Sequence, residues 1–151
     1  MTDDAVAARI EIVDAVTRLF WLTDHHRWDE LPAVLADRVR LDYTSLQGGA
    51  PVTLASADVV DAWRGTLGAL DAHQHLVGNH LVDVRDDGTA IVTAAFQATH
   101  QFRGDTWTLG GDYRFELAAS EGRWRIAAMT MTAVWQTGDA RLIARAARPA
   151  R

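Results

Sequence analysis

No cysteine occurs in this chain of 151 residues. That absence removes disulfides, a thiol nucleophile and cysteine-ligated zinc together. No run of about 18 apolar residues occurs either, so no helical membrane span is expected. The chain opens Met1-Thr2-Asp3-Asp4, acidic where a secretory leader would be basic, and the expectation is a cytoplasmic protein with no membrane partner. Basic charge is also sparse: 15 Lys and Arg against 20 Asp and Glu leave a net charge of −5. These basic residues are scattered except for a group after Arg141, so no face is suited to a phosphate backbone and nucleic acid is not an expected partner. No internal repeat, low-complexity tract or linker divides the chain, and its length is that of one domain, 1–151.

What the sequence does have is six tryptophans, which supply core area and can wall a pocket for a flat ligand. Asp3 or Asp4 can cap a first helix in which Val6, Ile10, Val13 and Phe20 recur at helical spacing, continuing to about Thr23. A shorter helix is expected from about Asp29 to Ala36, with Pro32 in its first turn. Residues 38–44 alternate as a strand with Val39, Leu41 and Tyr43 on one face; Gln47-Gly48-Gly49-Ala50-Pro51 reads as a loop. Ser56 is positioned to cap a third helix, Ala57 to about Leu70, carrying Val59, Val60, Trp63 and Leu67.

From residue 73 the period changes to that of long strands. His73–Arg85, Ala90–Phe102, Thr106–Ala118 and Arg123–Thr137 are separated by turn signals at Asp86-Asp87-Gly88, Arg103-Gly104-Asp105 and Ser120-Glu121-Gly122. Helices first and antiparallel strands afterwards predict an α+β domain in which a strongly curved sheet wraps around the helices. The tail, 139–151, is expected to be a short helix or to fray.

Four polar residues fall where apolar ones are expected. Counting about 100° per residue places Asp24 over Val6 and near Val13 and Phe20, so an unbroken helix would carry its carboxylate inward, where it needs a donor or a proton. The alternative is that Asp24 lies beyond the helix and caps the next one. His100 interrupts the face formed by Val92, Ala94, Phe96, Ala98 and Phe102. It is either a satisfied core histidine or a tunable acid or base, and the small Ala94 and Ala98 leave room beside it for a ligand. Tyr43 shares an apolar face and needs a partner for its hydroxyl; Tyr113 has the same ambiguity beside Leu109, Phe115 and Leu117. His75 lies in His73-Gln74-His75-Leu76-Val77-Gly78-Asn79-His80, where Gly78 suggests a bulge and periodicity assigns no face. Three histidines within eight residues raise the question of a metal, but alternation sets His80 opposite His73 and His75 unless the bulge corrects it. No His-Glu-x-x-His or comparable ligand set accompanies them, and no metal is expected.

Arg27-Trp28-Asp29-Glu30-Leu31 after the first helix, Gln74-His75-Leu76-Val77-Gly78-Asn79 opening the sheet and Gly122-Arg123-Trp124-Arg125-Ile126 opening the last strand together resemble the SnoaL-like branch of the nuclear transport factor 2-like superfamily, from Ile10 to Trp135. The resemblance implies a cone-shaped α+β barrel, with N-terminal helices packed inside a mixed, mostly antiparallel sheet. Within that superfamily the chain resembles the scytalone dehydratases, lyases that remove water from a hydroxylated bicyclic ketone without a cofactor. The likeness implies Asp24, His75, Tyr43 and His100 as the acid/base set. It departs at Thr23, where those enzymes have a second tyrosine, and at Tyr113, where they have asparagine. Phe20, Trp63, Asn79, Phe96, Tyr113 and Trp135 form the expected substrate contacts. The implied activity is a dehydratase acting on a small cyclic or polyketide-like carbonyl compound, with isomerisation, cyclisation or simple binding as alternatives. The resemblance also implies a homo-oligomer, trimer or dimer, using the outer sheet face around Thr93, Gln97, Gln101 and Trp107.

Overall fold

The computed structural model describes residues 1–147, so the last four residues of the expected tail lie outside the described residues. The first helix, α1, runs Asp3–Asp24 and is capped by Thr2, whose side chain accepts from the Ala5 N–H, rather than by Asp3 or Asp4. Its buried stripe is Ile12, Ala15, Val16, Leu19, Phe20, Leu22 and Thr23; Val6 and Ile10 are exposed, so the expected apolar face is correct only in the C-terminal half. The helix ends because His25 caps it and His26 enters the left-handed region at φ 54°, with its N–H returning to the Thr23 carbonyl. A single 3₁₀ segment, Trp28–Ala33, replaces the expected second α-helix. Pro32 lacks the N–H that an α-turn would use there, and the chain turns at once into a strand.

That strand, β1, spans Leu35–Asp42, and Tyr43 lies just past it as the residue leading into a one-turn helix, α2, Thr44–Gln47. A short edge strand, β2, Val52–Ala55, pairs antiparallel with β1. It was not foreseen because four residues after Gly-Gly-Ala-Pro, two exposed and two half-buried, carry no periodic signal. Helix α3 covers Ser56–Leu67, with Ala55 rather than Ser56 as its extended N-cap residue. The long strands follow as β3 Ala72–Val84, β4 Thr89–Phe102, β5 Asp105–Ser120 and β6 Arg123–Gly138, and α4 is Leu142–Ala146.

The six strands form one sheet in the order β2-β1-β6-β5-β4-β3. Only β1 with β6 is parallel; the other pairs are antiparallel, and β2 and β3 remain separate edges. The expected mixed, mostly antiparallel α+β architecture is therefore present with an open sheet. All three hairpins fall at the predicted turns, where Gly88, Arg103-Gly104 and Glu121-Gly122 take the positive φ that tight turns demand. Helix α1 packs on β3 and β6, α3 on β1 and β2, and α4 on β4 and β5. Between them lies the core, in which Ile12, Leu19, Leu31, Val39, Phe115 and Leu142 are fully buried. Each such side chain contributes roughly 1.5–3 kcal/mol by leaving water.

Two irregularities shape what the sheet presents. The β3–β4 register shifts between Gly78 and Leu81, with Asn79 in the left-handed region at φ 55°. His73 and His75 pair with the inward His100 and Ala98, while beyond the bulge Val82 pairs with the inward Val92, so the extra residue brings His80 back to the side of His73 and His75. The β5–β6 register shifts at Gly110/Gly111. No helix among the described residues is long and apolar enough to cross a membrane.

Candidate active site

Asp24 is the last residue of α1, directed over the start of β3, and it caps no following helix. Its Oδ1 accepts from His75 Nδ1 at 2.6 Å and from His73 Nδ1 at 3.2 Å, and its Oδ2 accepts from the His75 backbone N–H at 2.8 Å. Burial alone would raise this carboxyl. The two imidazole donors, the nearby His75 and its backbone N–H outweigh that effect and hold Asp24 down at about 2. A carboxylate can only accept, so each Nδ1 carries its proton toward Asp24, and the contact leaves Nε2 of His75 unengaged by the carboxylate.

His75 packs at 5.2 Å from the Phe20 ring and edge-on to His100 at 6.0 Å. His100 is 4% exposed; its ring stacks on Trp107 and its Nδ1 donates to the Trp107 carbonyl at 3.1 Å. Burial lowers His100 to about 4, with the histidines at 75 and 73 adding to the effect and the Trp107 carbonyl opposing it. His100 is thus neutral near pH 7, with Nε2 as its acceptor. Tyr43 accepts from Trp63 Nε1 at 3.2 Å, which leaves its own O–H free to donate; burial raises it, and only partly does the Trp63 bond oppose this. Tyr113, buried and stacked between Phe96 at 4.1 Å and Phe20 at 5.1 Å, is raised by burial as well.

These groups line one cavity of about 480 Å³. Of the expected catalytic residues, His75, Tyr43 and His100 reach it directly, and Asp24 stands behind His75. Of the expected contacts, Phe20, Trp63, Phe96 and Tyr113 line it. Asn79 and Trp135 do not: both line a separate shallow depression at the sheet surface. The bulge at Gly78 turns Asn79 outward to an exposed position, and the β5–β6 irregularity seats the Trp135 indole over Gly110. Trp107 requires the opposite correction. It is 5% exposed, pairs with His100 on the inner face and lines the cavity, so it belongs to no outer surface, whereas Thr93, Gln97 and Gln101 are exposed as expected.

Thr23, at the position where the dehydratases carry tyrosine, also lines the cavity, but its hydroxyl donates to the Leu19 carbonyl at 2.7 Å within its own helix. The tail contributes Ala140, Ile143 and Ala144 to the wall, anchored by fully buried Leu142 and by Arg145 bridging Asp105 and Asp139.

Sequence reasoning missed His73 as a partner of Asp24. The signal was present: two histidines two apart on a strand share a face. The donor atoms of Asp24, His73 and His75 lie within 4.8 Å of one another, close enough to surround an ion. Both Nδ1 atoms nevertheless aim at one carboxylate oxygen at hydrogen-bond distance, the arrangement of two donors on one acceptor.

Fold and cavity define a class: a small α+β domain whose curved sheet and helices surround a mostly apolar pocket with a histidine on its wall that an aspartate holds from behind. The sequence profile of the SnoaL-like domain matches residues 4–130, and the chain belongs to that family. No curated protein matches the sequence. Among solved structures, the Kfla4162 protein from Kribbella flavida is 28% identical, with a TM-score of 0.85 over 93% of this chain and 99% of that one. A protein provisionally assigned as a scytalone dehydratase, from Novosphingobium aromaticivorans, is 18% identical with a TM-score of 0.77, covering 91% of each chain. Hexachlorocyclohexane dehydrochlorinase LinA-type3 from Novosphingobium barchaimii is 14% identical with a TM-score of 0.73, over 91% of this chain and 93% of that one. The last two likenesses are ones of fold.

Proposed function

We propose that this protein is a cofactor-independent lyase that removes water from a small hydroxylated cyclic carbonyl compound, of polyketide-like type. The observation that carries the reading is the His75–Asp24 pair, in which the carboxylate holds Nδ1 at 2.6 Å and the ring itself lines the cavity. In this reading Nε2 removes the proton beside the carbonyl, and Asp24 stabilises the imidazolium that forms. The developing enolate oxygen is met by neutral O–H donors, Tyr43 and Tyr113, which burial keeps protonated.

The proton for the departing hydroxyl has one suitable source. His100 is neutral and its only N–H is engaged by the Trp107 carbonyl, so it can accept from the substrate hydroxyl but has no proton to give. The imidazolium of His75 therefore returns the proton it took, and the leaving group departs as water with the carbon–oxygen electron pair. Atoms balance with no external acid. Two of the three similar structures are named for eliminations, a provisionally assigned scytalone dehydratase and a hexachlorocyclohexane dehydrochlorinase, which supports the reading.

Isomerisation or cyclisation would begin with the same proton abstraction. Incubation with a panel of β-hydroxy ketones on bicyclic frames, followed by mass spectrometry, separates these outcomes: dehydration predicts a product lighter by one water, whereas isomerisation leaves the mass unchanged. His75→Ala with its fold intact is expected to reduce turnover by at least about 10²–10⁴-fold; undiminished turnover would rule the assignment out. Association of copies as a trimer or dimer is proposed for the outer face bearing Thr93, Gln97 and Gln101, and sedimentation equilibrium would read it.

A further inference from the structure

Behind the Asp24–His75 pair the hydrogen bonding continues away from the cavity. His73 donates Nδ1–H to the same Oδ1 that His75 uses, and its side chain is 1% exposed. Its other nitrogen, Nε2, lies 2.8 Å from Nε2 of His26. Two lone pairs cannot face each other at that distance, so one proton is shared between these nitrogens. His26 is exposed and held in place from three directions: by its left-handed backbone, by stacking on Trp28 at 5.0 Å and by the hydrogen bond to His73, whose ring it meets edge to edge. Four side chains, His26, His73, Asp24 and His75, thus run in one hydrogen-bonded line from solvent to the cavity wall.

A carboxylate oxygen that accepts two imidazole N–H groups offers less negative charge to each than it would to one. Any fraction of positive charge on His73 has the same effect on His75. We infer that His73 and His26 are positioning residues of the proposed base. His73 fixes the carboxylate of Asp24 and withdraws part of its charge from His75, and His26 fixes the ring of His73. This inference rests on the proposed role of His75 as base, but its test does not require turnover.

The other groups facing His75 are accounted for. His100 on β4 meets it edge-on at 6.0 Å, Tyr113 on β5 feels the Asp24 charge, and Phe20 on α1 is uncharged. Tyr43 lines the same cavity, and His25 lines the cleft on the α1 side of Asp24. None of these bonds to the carboxylate among the described residues.

The test is a histidine ¹⁵N and ¹H NMR titration of the ligand-free protein, with the amide spectrum as the check of folding. In His73→Phe, Asp24 loses one donor and the titration midpoint of His75 is expected to rise by about half a pH unit or more. His73→Asn, whose side-chain N–H stands where Nδ1–H does, is expected to restore most of the change. In an Asp24→Asn background the same His73→Phe step should leave His75 unmoved, because the coupling passes through the carboxylate. His26→Phe keeps the stacking on Trp28 and drops the hydrogen bond, and is expected to speed solvent exchange of the His73 Nδ1–H several-fold, because its ring is then no longer fixed from the Nε2 side.

An unmoved His75 in folded His73→Phe overturns the arm. So does a shift of equal size in the Asp24→Asn background, which would mean direct action between the His73 and His75 rings, 6.0 Å apart. An unchanged exchange rate of the His73 Nδ1–H in His26→Phe removes His26 from it. Loss of turnover in His75→Ala with no coupling to His73 rejects the arm alone; coupling with full turnover rejects the base alone.

Discussion

Asp24 grips His75 twice, through Oδ1 to the ring Nδ1 at 2.6 Å and through Oδ2 to the backbone N–H at 2.8 Å. The backbone contact locates the carboxylate whatever the ring does, and the ring contact then fixes the tautomer and the plane of the imidazole. Position and charge therefore separate under substitution. Asp24→Asn keeps the shape and can keep one acceptor, but it carries no charge to stabilise an imidazolium. Turnover is expected to fall by about 10²–10⁴-fold with little change in KM. Asp24→Ala should in addition destabilise the fold by about 1–3 kcal/mol, because three N–H groups, those of the His73 and His75 rings and of the His75 backbone, lose their acceptor. Steady-state kinetics and urea denaturation of the two variants check the separation.

His100 predicts an acid-sensitive fold. The unfolded chain protonates this residue near 6.5, whereas the native state resists until about 4. Between those values the unfolded state binds more protons, so stability is full above about pH 6.5 and is lost progressively as pH falls toward 4. Size follows from the gap between the two values, about 3 kcal/mol. Asp24 acts lower: its depressed value contributes stability that is present above about pH 4 and lost as pH falls toward 2. His100→Leu should flatten the upper window and leave the lower one, as read by denaturation midpoints across that range.

Much of this arrangement was legible in the chain, for identifiable reasons. The hairpins follow from positive-φ turn residues, and the burial of His100 from strict alternation along β4. Asp24 was found by a count from Val6, Val13 and Phe20; Val6 is exposed and Val13 half-buried, but Phe20, one turn before Asp24, is buried as the count required. Period alone left His75 unplaced because Gly78 signals a bulge beside it; His73 and His75 lie before that bulge in regular register with β4, and the histidine whose face it changes is His80. Asn79 and Trp135 were misplaced for the same reason, since one extra residue reverses every side chain beyond it. The short edge strand at Val52–Ala55 is specified by pairing with β1, and nothing local announces it.

The two adjacent glycines of β5 make a comparative prediction. A Cβ at Gly111 would collide with the backbone carbonyl of Thr132, and one at Gly110 with the indole of Trp135. Backbone inside a paired strand has nowhere to go, while Trp135 is 44% exposed and can swing out. Gly111→Ala is expected to cost about 1–3 kcal/mol and Gly110→Ala clearly less. Thermal unfolding of the pair reads the order, and equal costs would mean that Trp135 is fixed against the sheet.

Tyr43 and Trp63 are the remaining pair that can be tested as a unit. Trp63 Nε1 donates to the tyrosine oxygen, so the O–H must point elsewhere, and the cavity is the space both residues line. If that proton meets the developing enolate, Tyr43→Phe should lower kcat by about 10²-fold while leaving KM nearly unchanged. Trp63→Phe keeps an aromatic wall but frees the hydroxyl to turn, at an expected loss of up to about tenfold. The decisive variant is the double one. With Tyr43 already phenylalanine there is no hydroxyl left to orient, so adding Trp63→Phe should change kcat no further, and any remaining effect should fall on KM through the altered wall. A full additional loss of kcat in the double variant would show that Trp63 contacts the reacting substrate itself and that the O–H of Tyr43 is not what it serves.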